Sequence, residues 1–209
     1  MVNISKSQYL KGLQCHKMLW LVKNKPELAA QTTEARQAIF TQGSTVGKLA
    51  QELFPGGVEI EFNPKNFTGM ITQTRELLQT NPSITIYEAT FDYQGSFAML
   101  DILVQTPDGV EIYEVKSSTG AKDVYLDDLA YQVYILQGLG YKVTKASLVN
   151  INNEYIYDGV ELNLQELFKV EDFTQELFTK AKHVSNLVNK MQQALAGDEP
   201  DIKIGPHCD

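Results

Sequence analysis

No stretch of this sequence stays apolar for long. Its apolar runs are short segments such as VYIL, far below the roughly 20 apolar residues that cross a bilayer. That argues against a membrane partner. The N-terminus, MVNISKSQYLKG, has no apolar core of a secretory signal, so the expected compartment is the cytoplasm. Cysteine is almost missing. Cys15 and Cys208 lie near opposite ends, and a disulfide is not expected in a reducing compartment. Two thiolates also fall short of the four ligands of a structural zinc site or an iron–sulfur cluster. Read from composition, they are two unrelated free thiols. An excess of positive charge is missing too. The net charge is −8 over 209 residues, which counts against nucleic-acid binding through the whole surface, because phosphate contacts need Lys and Arg. Finally, there is no repeat, no low-complexity tract and no linker rich in Pro, Gly or Ser, so residues 1–209 are expected to form one domain.

Against this acidic background, residues 1–25 carry Lys6, Lys11, Lys17, Lys23 and Lys25 and no acid. Lys6, Lys11 and Lys17 are candidate contacts to DNA phosphates, with a solvated lysine-decorated helix as the plain alternative. A helix is expected here, with Ser5 or Ser7 as N-cap and apolar or aromatic residues at Tyr9, Leu10, Leu13, Met18, Leu19 and Leu21. Residues 33–54 read as one long helix, or as two joined near Gly43, stopped by Pro55–Gly57. Residues 68–82 read as a helix capped by Thr68. The pattern then changes to period-two alternation of β-branched and aromatic residues. Turn signals at YQGS and TPDG divide it into strands over about 84–92, 97–105 and 110–117. A helix follows, with Leu126, Leu129, Ala130, Val133 and Leu136 as its buried stripe, then a fourth strand. The rest is read as mostly helical, with a turn near KVED. The fold class is therefore α/β, with an α-β-β-β-α-β core, a mixed central sheet, and additional N- and C-terminal helices.

The candidate chemistry lies in DGVEIYEVKSS, residues 108–118. Strand side chains alternate, so Glu114 and Lys116 share one face. Asp101 lies on the preceding strand, and a tight hairpin brings those strands about 5 Å apart. Two carboxylates at that distance repel unless a divalent cation lies between them. Mg²⁺ or Mn²⁺ suits such hard oxygen ligands. The candidate metal ligands are Asp101, Glu114 and the carbonyl of Val115. Lys116 would orient an attacking hydroxide or stabilise charge on a phosphate, and Gln132 on the next helix would hydrogen-bond the phosphate or the water. The plain alternative is a surface Glu–Lys pair worth under ~1 kcal/mol. His16, His183 and His207 receive no role, and Trp20 is assigned to the core.

LDILVQTPDGVEIYEVKSS resembles the active-site hairpin of the PD-(D/E)xK nuclease superfamily, and DLAYQVY resembles the helix carrying the glutamine of its RecB-like branch. The ends, ISKSQYLKGLQCHKMLWL and PDIKIGPHC, are similar to those of RecB-like nucleases that hold an iron–sulfur cluster, as in AddB-type and CRISPR-associated exonucleases. Nearly all 209 residues resemble the nuclease-like N-terminal part of a larger bacterial family. The resemblance implies a restriction-endonuclease-like core. It makes Asp101 and Glu114 metal ligands, Lys116 the catalytic lysine and Gln132 the motif glutamine. It adds Glu88 as a further acid, and Cys15 and Cys208 as ligands of a 4Fe–4S cluster. Three departures stand beside it. The segment 43–54 has no histidine where RecB-like enzymes carry a metal ligand, so that slot is either empty or served by Glu88. Position 136 is Leu136 where a tyrosine is usual. The chain stops one residue after Cys208, so the other two cluster cysteines would lie beyond its end in a longer protein, and a further domain or partner subunit is a separate expectation. The implied activity is a Mg²⁺- or Mn²⁺-dependent DNA exonuclease in repair or defence. The competing reading is an inactive nuclease-fold module that binds nucleic acid within a larger assembly.

Overall fold

The computed structural model describes residues 3–208. In chain order the elements are β1 (Ile4–Ser5), α1 (Lys6–Gln14), α2 (His16–Asn24), α3 (Glu34–Gln51), β2 (Val58–Glu59), α4 (Phe67–Thr80), β3 (Ile84–Tyr93), β4 (Ser96–Thr106) and β5 (Gly109–Lys116). They continue with α5 (Asp123–Gly138), β6 (Val143–Ile151), α6 (Leu164–Leu167), β7 (Phe168–Asp172) and α7 (Thr174–Ala196). The strands form one seven-stranded sheet in the order β2-β3-β4-β5-β6-β7, with β1 added beside β4. β3, β4 and β5 are antiparallel neighbours, and β6 is parallel to β5 after the α5 crossover. The run α4-β3-β4-β5-α5-β6 is the expected α-β-β-β-α-β order of a restriction-endonuclease-like core. No helix among the described residues is long and apolar enough to cross a membrane.

Local chemistry explains most of the boundaries. The β3–β4 hairpin turns at Gln94 and Gly95, which both adopt positive φ (47° and 78°). That is the two-residue hairpin geometry whose twist matches the strands. Ser5 caps α1 in a reciprocal capping box with Gln8. Three expectations are corrected. The N-terminal helix is two helices, because Cys15 is extended (φ −162°, ψ 122°) and ends α1. The apolar period ran through the break because both helices pack on the same core. α4 is capped by Asn66, whose side chain accepts from the Gly69 N–H at 2.9 Å, not by Thr68. The KVED segment is not a turn but part of β7, an edge strand paired antiparallel with β6. Only Phe168 of that strand is buried, so it carries almost no alternation to read. The 33–54 region holds one helix, Glu34–Gln51, unbroken at Gly43 and ending before Pro55.

Two cores clasp the sheet. The larger lies under α1, α2, α4, α5 and α7 and includes Leu19, Ile112, Leu129, Tyr131, Leu148 and Met191. The smaller, on the other face, packs Tyr87, Ile102, Tyr113 and Val149 against Ala50 of α3 and Leu164 and Leu167 of α6. The expected stripe on α5, Leu126, Leu129, Ala130, Val133 and Leu136, is wholly buried. β5 alternates as expected, with Ile112 in the larger core and Tyr113 and Val115 in the smaller.

β3 and β4 do not keep one phase. In β3, Ile86 faces the larger core and Tyr87 the smaller, yet Ala89 and Phe91 face the larger one. In β4, Ala98 and Leu100 face the larger core, Ile102 the smaller, and Leu103 the larger. The phase slips at Glu88 on one strand and Asp101 on the other. These occupy the rung between Tyr87↔Ile102 and Ala89↔Leu100. Glu88 sits there at φ 57°, a left-handed conformation that costs a non-glycine residue on the order of 1 kcal/mol or more.

Between Phe97 and Ile102, the stretch that holds Asp101, β4 changes neighbours. Its C-terminal part, from Ile102 on, pairs with β5, whereas Ser96 and Phe97 pair with β1. With β3 along the other edge of β4, β1 and β5 approach Asp101 from opposite directions, and the gap between them is where Lys6 follows β1. The anchors of β1 are firm. Ile4 is fully buried, its N–H donates to the Gly95 carbonyl at 2.7 Å, and its carbonyl accepts from the Tyr131 hydroxyl at 2.6 Å. The Phe97 N–H donates to the same hydroxyl at 3.2 Å. Tyr131 also stacks on Tyr9 of α1, with ring centroids 4.4 Å apart. Gly12 lets α1 approach α7, since a Cβ there would lie 2.5 Å from Met191 Sδ. Replacing Tyr131 by Phe removes a buried hydroxyl with two backbone partners. It is expected to cost about 1–3 kcal/mol of stability, read as a lower midpoint in denaturant unfolding, and to raise hydrogen exchange at β1 ahead of the rest of the sheet.

Candidate functional site

Glu114, near the end of β5, is 2% exposed. A carboxylate buried to that degree is unstable without partners, and here it has four hydrogen bonds. Lys6 donates to both of its oxygens at 3.0 Å. Lys116 donates to Oε1 at 2.6 Å, and Gln132 Nε2 donates to Oε2 at 2.7 Å. A second buried carboxylate, Asp128, completes the cluster. It accepts from Lys116 at 2.9 Å and from Gln132 at 3.1 Å, and Lys6 Nζ lies 3.7 Å away. Asp101 stands at the rim, about a quarter exposed, with Oδ1 4.0 Å from Lys6. Its Oδ2 accepts from the Val115 N–H at 2.7 Å. The expected convergence of Asp101, Glu114, Lys116 and Gln132 is therefore present, and their face turns inward toward α1 and α5 instead of out to water. Val115 enters the cluster through its backbone N–H; its side chain packs in the smaller core.

The electrostatics follow from the crowding. Burial raises the Glu114 carboxyl, but the Lys6 and Lys116 ammonium groups outweigh it and hold the group well below the usual range. Asp101 is pushed up to about 7, first by burial and then by the Glu114 charge, against the pull of Lys6. Burial and then Glu114 push Asp128 up in the same way. Glu88 is raised chiefly by burial, with Lys6 lowering it and Glu114 adding to the rise. Lys6 and Lys116 are both raised: burial opposes their charge, and the surrounding carboxylates more than offset it. Fully ionised, the four carboxylates exceed the two ammonium groups by two charges. That surplus and the hard oxygen donors of Asp101 and Glu114, with Glu88 across the strand, suit a divalent cation such as Mg²⁺ or Mn²⁺. Among the described residues, no group of three or more His, Cys, Asp or Glu side chains is already gathered as a metal cage.

Two members of this cluster went unassigned from sequence or were assigned to something else. Asp128 was missed, although it precedes Gln132 by four residues on α5 and so shares its face. Lys6, a candidate phosphate contact or solvated lysine by sequence, stands instead in the carboxylate cluster. Of its companions, Lys17 is paired with Glu199 at 3.1 Å, and Lys11 is half-buried on α1. Trp20 is not a core residue. It is half-buried, and its indole N–H donates to the Gly197 carbonyl at 3.0 Å, tying α2 to the end of α7. Tyr134, the nearest aromatic to the usual tyrosine position, packs on Tyr93 instead.

Cys15 and Cys208 lie far apart in sequence but line one cleft of about 760 Å³ between α2 and the C-terminal segment. Met18, Leu21, Ile202, Ile204 and His207 share its walls. Both thiols are free.

No protein-family model and no curated protein matches the chain. Among solved structures, it is similar to the crystal structure of LHK-Exo in complex with dAMP. The identity is 12% and the TM-score 0.49, over 93% of this chain and 90% of that one.

Replacing Asp101 by Asn keeps the acceptor for the Val115 N–H and removes a carboxyl whose folded-state value is raised. A raised carboxyl costs the folded state stability once it ionises. The cost accrues between the unfolded value near 4 and the folded value of about 7, and is absent below both. In metal-free buffer, Asp101→Asn is therefore expected to melt with wild type at pH 3.5 and above it at pH 8. A difference of about 2–4 °C corresponds to roughly 1 kcal/mol. Equal melting across that range would contradict the assignment.

Proposed function

We propose that this protein is a Mg²⁺- or Mn²⁺-dependent DNA nuclease, an exonuclease acting on DNA ends in repair or defence. The observation that carries the reading is the meeting of Asp101, Glu114, Lys116 and Gln132, from two strands and a helix, around one buried carboxylate. An ordinary surface ion pair does not recruit three elements to bury it.

In this reading Asp101 and Glu114 hold the metal, with Glu88 and the Val115 carbonyl as further oxygen donors. Bound there, the ion would polarise a phosphate and lower the pKa of a water molecule. The protein's own groups do the rest. Lys116, fixed by Glu114 and Asp128, keeps its charge at any physiological pH and lies where it can orient a hydroxide or offset charge developing on the phosphate. Gln132 holds Glu114 in one rotamer, so the carboxylate does not reorganise when a cation arrives. Asp128 fixes Lys116 from the other side. The raised Asp101 has to give up its proton for the metal, which ties activity to pH values around and above 7. The two cysteines on one cleft fit a 4Fe–4S site only with further thiolates from elsewhere in a longer protein or a partner.

One observation favours a second reading. The Lys6 ammonium already lies among Glu114, Asp101 and Asp128, which suits a nuclease fold kept as a DNA-binding module without catalysis. The two readings separate in one assay. Wild type is expected to degrade linear single- or double-stranded DNA with Mn²⁺ or Mg²⁺ and not with EDTA. Glu114→Ala and Lys116→Ala, checked for folding by circular dichroism, are expected to lose at least about 100-fold, the scale of a group acting on developing charge. Equal activity in wild type and Glu114→Ala would refute the nuclease. Retained DNA binding with no cleavage in any metal would favour the module.

A further inference from the structure

We propose that Lys6 is a resident cation of the carboxylate site, and that a divalent metal ion binds there only by displacing its ammonium group from Glu114. The proposal rests on the metal-site reading above, and deepens it by assigning a built-in competitor for the metal.

The geometry is that of a cation site filled by the protein itself. Lys6 Nζ is 3.0 Å from both oxygens of Glu114, 3.7 Å from Asp128 and 4.0 Å from Asp101. Three carboxylates from two strands and a helix thus surround one ammonium. A surface lysine reaching an acid by chance has no such setting, and this one is delivered by fixed backbone. Lys6 is the first residue of α1, directly after β1. β1 is held by its pairing with Ser96 and Phe97, by the Tyr131 hydroxyl on the Ile4 carbonyl, and by the Ser5–Gln8 capping box. Lysine side chains normally keep their ammonium in water, yet this one is only 22% exposed.

The competition is physical. A hard divalent ion takes oxygen ligands at about 2.0–2.1 Å and would use the same Glu114 lone pairs. An ammonium left within hydrogen-bond distance of those oxygens would repel it. Lys6 therefore keeps the buried carboxylates compensated without metal, at the cost of weaker metal affinity, as for any ligand that must displace a populated state. An acidic site without such a lysine would be strained when empty and greedy for cations; this one is stable when empty and selective for concentrated, strongly charged ones.

The test is Mn²⁺ binding, followed through the electron paramagnetic resonance signal of the free ion, in wild type, Lys6→Gln and Lys6→Arg, with no DNA present. Lys6→Gln removes the charge and is expected to bind Mn²⁺ at least roughly tenfold tighter than wild type, while Lys6→Arg, which keeps it, gains nothing. A wild type that fails to bind beside a Lys6→Gln that does would uphold the resident cation while removing the metal-dependent nuclease. Equal affinity in wild type and Lys6→Gln would overturn the proposal and leave the nuclease standing. No binding in either would remove both. Should Lys6→Gln not fold, acetylation of wild type read by mass spectrometry decides the matter. Lys6 is expected to be protected without metal and labelled in Mn²⁺; labelling that does not change with Mn²⁺ overturns the proposal.

Discussion

A buried carboxylate needs positive charge and hydrogen-bond donors around it, and Glu114 organises this molecule by that need. It lies near the end of a strand, 2% exposed, where an unpaired charge would cost several kcal/mol. Lys6 comes from the N-terminus, Lys116 from two residues along β5, and Gln132 from α5. Each gives the carboxylate a bond, and each is located by it. The price of holding so many acids together appears in their neighbours: Asp101, Asp128 and Glu88 are all pushed toward protonation, burial first and the Glu114 charge after it.

The sheet makes room for this cluster by breaking its own regularity. Unbroken alternation along β3 and β4 would leave Glu88 and Asp101 on an ordinary ladder rung. Instead both strands slip phase at that rung, with Glu88 in a left-handed conformation, and β4 exchanges β5 for β1 as its neighbour. The exchange leaves a gap in the ladder beside Asp101, and a gap in a sheet is where polar side chains can gather without displacing a strand. Strain of this kind is kept where the surrounding structure over-determines it. Here the hairpin turn at Gln94–Gly95, the Tyr131 hydrogen bonds and the packing of α1 on α7 provide that support.

α5 has the other half of the work. One face carries the apolar stripe that seals the larger core, and Asp128 and Gln132 stand one turn apart on the face toward Glu114. The same helix presents Tyr131, which holds β1. Site and N-terminal strand are thus fastened to a single rigid element, so the position of Lys6 depends on packing far from the carboxylates it touches.

Much of this was legible without a structure. Period-two alternation, the YQGS and TPDG turns and the stripe on α5 gave the three-strand meander and its crossover helix within a residue or two, because those signals are local. Asp101, Glu114, Lys116 and Gln132 were also within reach, since a hairpin and one helix face suffice to bring them together. β7 was not, because an exposed edge strand has little apolar pattern to show. Asp128 could have been found by its spacing from Gln132. Lys6 could not: its 108-residue separation from Glu114 is closed only when β1 pairs beside β4, and nothing local to SKSQYL reports that pairing. Most of the elements and the residues that share a face could be read from the chain alone, for these follow from backbone geometry over a few residues. The direction of that face and the cation beside it come from the folded whole, because burial and long-range pairing belong to the entire sheet.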